Sequence, residues 1–343
     1  MNHDPDSASR TSYARRHPAW VVTIVVLMAL LAGFVVLASN VQWLRGPFER
    51  TVSASLKREF TTRAMRLSWS NGPILTLDDV VLSNITGGSE PQMARVKSMQ
   101  ITLSLLELLR GHIVLPEVTL DGADVLLEEL QDGRQNWVVG NEDKAKGEKP
   151  RSRLRLDSVS LTQGRFRYLD HRMPLDMTVM ARALDQRAKD IPHDSDSAQR
   201  NVRYGLTFAV TGHYRDNQFS GEAQSGGVLS LADSGIRFPL QLEIKAGETQ
   251  LRMEGTIANV TQLSGVDMRI QLAGPTLANI YPFLLLPLPA SPPYSLHGRL
   301  RRDGPRYALQ ELGGRIGSTD LEGEGSYVTR EPRPLLIVQL RSK

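Results

Sequence analysis

The feature that most restricts the fold is an alternation of apolar and polar residues that recurs along much of the chain. In Thr249–Ile257 and again in Val266–Leu272, every second residue is apolar or glycine and the residues between are mostly charged or polar. This period of two is typical of a strand with one face against apolar material and the other in water. The apolar side of these two segments carries Leu251, Met253, Ile257, Val266, Met268, Ile270 and Leu272.

Further strands are predicted at short, regular intervals, joined by Gly, Asp and Asn turns. Such a succession predicts a mainly β, mostly antiparallel fold with few helices. A slip of the alternation after Leu156 predicts a β-bulge within Leu154–Leu161. The other candidate strands are Leu75–Leu82, His112–Leu120, Ala123–Leu130, Gly164–Tyr168, Tyr204–Thr211, Phe238–Ile244, Tyr294–Arg301, Arg306–Leu312, Asp320–Thr329 and Pro334–Leu340.

Three segments are predicted to be helical: Pro47–Phe60, Ser98–Arg110 and Thr276–Leu285. The first places apolar residues four positions apart, which forms an apolar seam along one side of a helix. Two interpretations of this seam remain open. It packs on the domain behind it, or it lies on a membrane surface.

The run Ala19–Ser39 contains no charged residue and has the length of a membrane-spanning helix. Arg15 and Arg16 directly precede it, so the positive-inside rule places the N-terminus in the cytoplasm and the rest of the chain outside it. The prediction is a cytoplasmic tail over residues 1–18 and an anchor over 19–41. A cleaved signal peptide is the alternative, since Leu37-Ala38-Ser39 offers small residues for cleavage.

The exported part has no cysteine, which excludes disulfides and thiolate metal sites. Its basic and acidic residues are interleaved, so no nucleic-acid surface is expected. Two polar stretches, Asn141–Arg153 and Ala181–Arg200, interrupt the strand pattern. The first separates a β region over 46–140 from a second over 154–343.

Residue patterns of catalysis or metal binding are lacking. The histidines are scattered, and the adjacent carboxylates Asp78-Asp79 and Glu128-Glu129 point to opposite faces of a strand. We therefore expect no catalytic residues, no metal and no cofactor, and a protein that is not an enzyme. A hydrolase assembled from distant residues is the weakest of the hypotheses kept open.

The apolar faces of the strands allow two architectures. They form the core of a closed sandwich or barrel, or they line an open, curved sheet that holds acyl chains. The alternation is the same in both, so periodicity does not separate them.

Ser104–Trp137 contains a Leu-Leu-x-Gly turn, two short strand patterns and a Gly-x-x-Asn-Trp ending at Gly133, Asn136 and Trp137. Leu272–Leu300 contains a Pro-rich crossing and a Tyr-Ser-Leu-x-Gly strand, and Gly313–Ser342 contains an Ile-Gly-Ser-x-Asp-Leu-x-Gly turn and strand. These three stretches resemble the AsmA family of inner-membrane-anchored envelope proteins, the first its N-terminal part and the other two a more C-terminal part, in the expected order. In the family, the strand that Leu335–Ser342 resembles is followed by more chain.

The resemblance implies a long, curved β-sheet groove that holds or passes phospholipid between the bacterial inner and outer membranes and supports outer-membrane biogenesis. The seven apolar residues of the two alternating segments are then its candidate lining. Expected partners are membrane phospholipid, the inner membrane through the N-terminal helix, and envelope or outer-membrane proteins at the C-terminal edge strand. The alternative is a scaffold that steers outer-membrane protein assembly without binding lipid.

Overall fold

A computed structural model describes residues 41–69, 72–138, 154–184, 204–230, 237–259, 264–280, 289–329 and 335–342. The predicted tail and nearly all of the predicted anchor lie outside these ranges, as does the whole of Asn141–Arg153. No helix within the described ranges is long and apolar enough to cross a membrane.

The described residues form two α-helices, two short 3-10 helices and nineteen strands. The α-helices are α1 (Arg45–Leu56) and α2 (Leu105–Leu109), and the 3-10 helices span Val41–Leu44 and Leu277–Ile280. The strands are β1 (Phe60–Thr61), β2 (Ala64–Trp69), β3 (Pro73–Ser83), β4 (Gln92–Thr102), β5 (Ile113–Leu115), β6 (Val118–Glu129), β7 (Leu154–Leu156), β8 (Ser158–Asp170), β9 (Leu175–Ala183), β10 (Leu206–Tyr214), β11 (Asn217–Ser225), β12 (Val228–Ser230), β13 (Phe238–Ala246), β14 (Thr249–Asn259), β15 (Ser264–Gly274), β16 (Tyr294–Asp303), β17 (Arg306–Ile316), β18 (Thr319–Val328) and β19 (Leu335–Ser342).

Seventeen of these strands form one long sheet. Strands β1 and β2 pair with β3, and the sheet continues through β4, β6, β8, β9, β10, β11 and β13 to β19, each strand beside the next. Short β12 lies alongside the first residues of β8. Only the β6–β8 pair of the described sheet is parallel, and β5 and β7 form a separate parallel pair. The sheet therefore runs without a break between the two β regions predicted from the sequence.

Two-residue turns join strand pairs of the C-terminal half into hairpins, among them β13–β14, β16–β17 and β17–β18. Gly247 and Gly304 begin the turns β13–β14 and β16–β17 with φ of 58° and 54°. Positive φ at this position suits the turn types whose twist matches that of the flanking strands, and glycine adopts it without steric cost.

Glycines on one face of the sheet mark places where neighbouring strands approach very closely. A Cβ atom at Gly255 would lie 2.7 Å from Met268 Cα and even nearer to the carbonyl oxygen of Asp267. Gly221 and Gly323 show the same approach to the backbone of the paired strand, and all three lie on the face that carries the apolar residues. Since the neighbouring backbone rises toward this face at each glycine, the sheet curls toward its apolar side at these pairs.

Helix α1 covers the apolar face at the N-terminal end of the sheet. Phe48 and Val52 pack against a buried cluster formed by strand residues such as Met65, Leu77 and Val96. The rings of Phe48 and Phe60 meet edge to face, with centroids 5.9 Å apart. This confirms the hypothesis that the apolar seam of this helix packs on the domain behind it, although the helix ends at Leu56 and Phe60, predicted as its last residue, lies in β1.

Several sequence predictions are wrong in detail. Residues Ser98–Thr102 belong to β4 rather than to a helix, because their alternation places Met99 and Ile101 beside Leu120 and Val118 of β6. The slip after Leu156 is a change of sheet at Asp157, not a bulge, because β7 pairs with β5 and β8 joins the main sheet. The predicted strands His112–Leu120 and Ala123–Leu130 divide differently, since β5 takes Ile113–Leu115 and β6 joins the last three residues of the first to most of the second.

Candidate functional site

The candidate site is the apolar face, which we define as the face of the main sheet that carries the seven predicted residues. The strand register brings these residues into lateral rows, because directly paired antiparallel residues lie on the same face. One row contains Ile244, Leu251, Leu272 and Leu296. The next contains Leu242, Met253, Ile270 and Gly298. The remaining two contain Leu240, Gly255, Met268, Leu300 and Leu309, and Phe238, Ile257, Val266, Arg302 and Tyr307.

The apolar face continues well beyond β13–β17. Toward the C-terminal edge it carries Leu321, Val338 and Leu340 on β18 and β19. Toward the N-terminal end it passes through Val210 and Val179 to the residues under α1. Sequence analysis singled out two strands of this surface, although the same alternation in Phe238–Ile244 and Tyr294–Arg301 pointed to two more.

Exposure along the face distinguishes its two ends. Under α1 the apolar residues are buried, whereas from β13 onward most are only half-buried. Of the seven predicted residues, Ile257 and Met268 are buried, at 8% and 3% exposure, and the other five are half-buried. On β19, Val338 and Leu340 are about half exposed. A closed core would bury such side chains, so this part of the face is open to its surroundings.

The opposite face of the same strands is polar and carries cross-strand ion pairs. Asp267 accepts two hydrogen bonds of 2.7 Å from the guanidinium of Arg299, and Arg301 lies 3.6 Å away. These arginines hold the pKa of Asp267 below its usual range, against a smaller opposing effect of burial. On the neighbouring pair, Glu243 accepts hydrogen bonds from Gln250 and Arg252. The two faces therefore differ in character, apolar on one side and charged on the other.

The Gly-x-x-Asn-Trp motif builds a buried polar cluster at the end of β6. The fully buried Asn136 accepts a 2.8 Å hydrogen bond from Glu128 N and donates to Leu126 O and to Asn84 Oδ1. The fully buried Glu128 carboxylate accepts from Ser89 N at 3.0 Å and from His171 Nε2 at 2.7 Å. The contacts with Asn84, Ser89 and His171 join three other chain segments to the end of β6, so the motif fixes the turn after β6 against its neighbours.

Burial opposes ionisation of Glu128, but hydrogen bonds from His171, Ser89 and Asn84 together hold its pKa below the ordinary value. The carboxylate is therefore charged at neutral pH and fully used as an acceptor by its neighbours. Across the described ranges, no three His, Asp or Glu side chains are grouped so that they could hold a metal ion. The remaining question is what the large open apolar face is for.

Comparison with known proteins identifies the group to which this architecture belongs. The family model described as the AsmA family matches residues 12–343. The AsmA family protein YhjG of Escherichia coli (strain K12) is 26% identical over 356 aligned residues, which cover 95% of this chain and 50% of that relative. The chain thus spans about half the length of the curated relative it matches. With a family match over nearly its whole length and a single long β-sheet, this chain belongs to the AsmA family of envelope proteins.

Proposed function

We propose that this protein holds phospholipid acyl chains on its apolar face and passes them between the inner and outer membranes, and so supports outer-membrane biogenesis. The observation that carries this proposal is the row structure of β13–β19. In the first three rows, the residues from β13 to β16 are apolar or glycine with no charge between them, and most are half-buried, whereas the fourth row reaches Arg302 on β16.

The physical need is clear from the energetics of acyl chains in water. Each methylene group moved out of water is stabilised by about 0.8 kcal/mol. An acyl chain of ordinary length therefore needs a continuous apolar cover, and contact with a single exposed Leu would stabilise it little. The rows from Leu251 to Ile257 extend over six residues, or ~20 Å at ~3.4 Å per residue. A face open on one side covers the acyl chain while the headgroup stays in water.

The polar face supports the same interpretation. Its ion pairs, such as Asp267 with Arg299, keep that side hydrated, so lipid binding is restricted to the apolar side. Glycines such as Gly255 leave the apolar face without side chains where the strands approach closely, and the resulting curl makes the face concave.

The cellular location that we propose rests on the family of the chain and on its N-terminal sequence. We propose a single-pass protein of the bacterial inner membrane, anchored through Ala19–Ser39, with the tail in the cytoplasm and the sheet in the periplasm. Arg15 and Arg16 before the uncharged run support this topology. No chemical step is part of the proposal, which needs lipid transfer alone and neither a nucleophile nor a metal.

The test uses two neighbouring residues that face opposite sides. The photo-crosslinking residue p-benzoylphenylalanine replaces either Ile270 or Gln271 in the full chain, produced in bacteria grown with ³²P-phosphate. Ile270 is half-buried on the apolar face and Gln271 is exposed on the polar face. After irradiation we expect ³²P-labelled phospholipid attached at position 270 and not at 271. Equal labelling, or none at either position, would contradict the proposal.

The second candidate function is a scaffold that directs outer-membrane protein assembly without lipid. Strand β19 favours it as an attachment site, because within the described residues it pairs only with β18 and exposes Ile337, Val338 and Leu340. Such an edge is able to add a strand from a partner envelope protein. Protein crosslinks from position 337 without lipid crosslinks from position 270 would favour this function.

A further inference from the structure

Two buried hydroxyl groups converge at one end of the apolar rows. Tyr294 begins β16 and pairs directly with Gly274, the last residue of β15. Thr249 begins β14, on the other side of Gly274. A Cβ atom built on Gly274 would lie 2.7 Å from Tyr294 Oη and 3.0 Å from Thr249 Oγ1. Both hydroxyls therefore reach the same small space, which the absence of a side chain at Gly274 leaves open.

Neither hydroxyl makes a hydrogen bond of ordinary geometry in the described part of the protein, and the hydrogen-bonding group that acts on Tyr294 is the Thr249 hydroxyl itself, so the pair has no further partner there. Thr249 is 8% exposed and Tyr294 is 3% exposed, so bulk water does not take the place of a partner. A buried polar group without a hydrogen bond is costly and uncommon. Burial also raises the pKa of Tyr294, with the Thr249 hydroxyl beside it acting in the opposite direction. Tyr294 is thus a neutral phenol that is able to donate a hydrogen bond.

The position of these hydroxyls relative to the rows indicates what they bind. The next row along the strands is Leu251, Leu272 and Leu296, and three more rows follow in the same direction. A ligand oxygen held by Thr249 and Tyr294 would therefore lie at the head of an apolar track. From Thr249 to Ile257 the distance along β14 is eight residues, or ~27 Å at ~3.4 Å per residue, of which the apolar rows from Leu251 onward take up ~20 Å. A molecule with one polar end and a long hydrocarbon chain matches this arrangement.

The absence of charged partners around the two hydroxyls favours a neutral ligand group over an anionic one. Neither hydroxyl is hydrogen-bonded to a charged side chain in the described part of the chain, and an anion in such a buried place would lack compensation. A neutral acceptor such as an ester carbonyl fits, because two hydroxyls are able to donate to its oxygen without a charge to neutralise. Glu248, which directly precedes Thr249 in the chain, lines an open cleft of about 610 Å³ together with Gly247, Ala278 and Asn279. This cleft offers polar, wet space for a headgroup.

We propose that Thr249 and Tyr294 form a hydrogen-bonding site for the ester carbonyl of a glycerophospholipid and fix its acyl chain at the head of the apolar rows. This proposal rests on the proposed lipid function, and it adds where the lipid binds and which way its acyl chain runs. The headgroup lies at the strand ends near Gly247, and the acyl chain runs along β14–β16 toward Ile257.

The test uses the full chain in cells, with the photo-crosslinking residue at Ile270 as the reporter of bound phospholipid. The variants are Tyr294→Phe, Thr249→Val and both together, which remove hydroxyls but keep the shapes of the side chains. Thr256→Val is the matched control, because Thr256 lies on the same strand as Thr249 but on the polar face, paired with Asp267. We expect the ³²P-labelled adduct to fall roughly fivefold for each hydroxyl removed, with no change for Thr256→Val.

A second variant, Gly274→Ala, places a methyl group where the carbonyl oxygen would bind, and we expect the adduct to fall at least as far. Melting of the purified variants supplies an independent readout. Removing a hydroxyl that has no partner should leave the melting temperature unchanged or higher. A lower melting temperature for Tyr294→Phe would show that the two hydroxyls bond each other, and would overturn the site.

Each failure has a distinct signature. A reporter that carries no label in the otherwise unchanged chain refutes the proposed function itself. A labelled reporter that is unaffected by the double variant refutes only the ester site. Parallel growth with ¹⁴C-acetate distinguishes the ligand, because a ¹⁴C adduct without ³²P would identify a fatty acid and would overturn the phospholipid assignment.

Discussion

The close approach of β14 and β15 at Gly255 predicts that alanine at this position destabilises the sheet, although alanine is ordinarily better than glycine inside a strand. In Gly255→Ala, the new methyl group meets the Asp267 carbonyl and lies 2.7 Å from Met268 Cα. Both obstacles are backbone atoms, so no side chain is able to move aside and the β14–β15 pair must separate. Forced overpacking of this kind costs about 1–3 kcal/mol.

Gly325 is the matched control, since it also lies inside a strand on the apolar face. A Cβ atom there would meet only Ile337 O at 3.7 Å and a methyl group of Val338 at 3.8 Å, which are ordinary contacts. Alanine is preferred over glycine inside a strand by roughly 0.5–1 kcal/mol. Gly325→Ala should therefore be neutral or stabilising, and the two substitutions should have opposite signs.

Hydrogen–deuterium exchange of the full chain in mild detergent measures the local stability of each strand pair. For Gly255→Ala we expect amides of β14 and β15 to exchange about 5- to 150-fold faster, which is the factor equivalent to about 1–3 kcal/mol of local opening. For Gly325→Ala, exchange in β18 and β19 should stay the same or become slower. Equal exchange in β14–β15 of Gly255→Ala and the unaltered protein would refute the inference that the backbones meet on the concave side.

Three further predictions concern the apolar face and the buried cluster. Ile270→Asp should abolish phospholipid crosslinking from position 253, whereas Gln271→Asp should leave it intact, because the two side chains face opposite sides. Loss of crosslinking in both variants would indicate a folding defect. Asn136→Ala should lower the unfolding free energy by about 2–4 kcal/mol, measured by urea titration followed by tryptophan fluorescence, because Glu128 N, Leu126 O and Asn84 lose partners. Stability should fall as the pH drops below the ordinary pKa of glutamate toward the lowered folded pKa of Glu128, and a loss confined to higher pH would contradict this.

The sign of the pH effect follows from the direction of the shift. Because hydrogen bonds hold the folded pKa of Glu128 below 4.5, its ordinary value, the unfolded chain takes up the proton first as the solution is acidified. The contribution of the ionised carboxylate is therefore complete above that value and is lost as the pH falls through the folded pKa. Melting temperatures at a series of acidic pH values measure this loss of stability, with Glu129→Gln as the control.

Local patterns in the sequence determined much of this protein. The alternation in Thr249–Ile257 and Val266–Leu272 identified which side chains share a face, because successive residues of any strand point to opposite sides. The apolar seam of α1 and the positions of most C-terminal strands followed from the same kind of local periodicity. The motifs in Ser104–Trp137 and Gly313–Ser342 identified the family, which the family match confirms.

Other features were decided only by the tertiary structure. The alternation of β14 and β15 is equally compatible with a closed core and an open face, and exposure distinguishes these only after the strands are paired. Of the helix predicted over Ser98–Arg110, the Leu-rich run forms α2 (Leu105–Leu109), but Ser98–Thr102 belong to β4, because pairing with β3 and β6 fixes their alternation. The close approach at Gly255 and the convergence of Thr249 and Tyr294 over Gly274 depend on register between strands far apart in sequence, which no local pattern encodes.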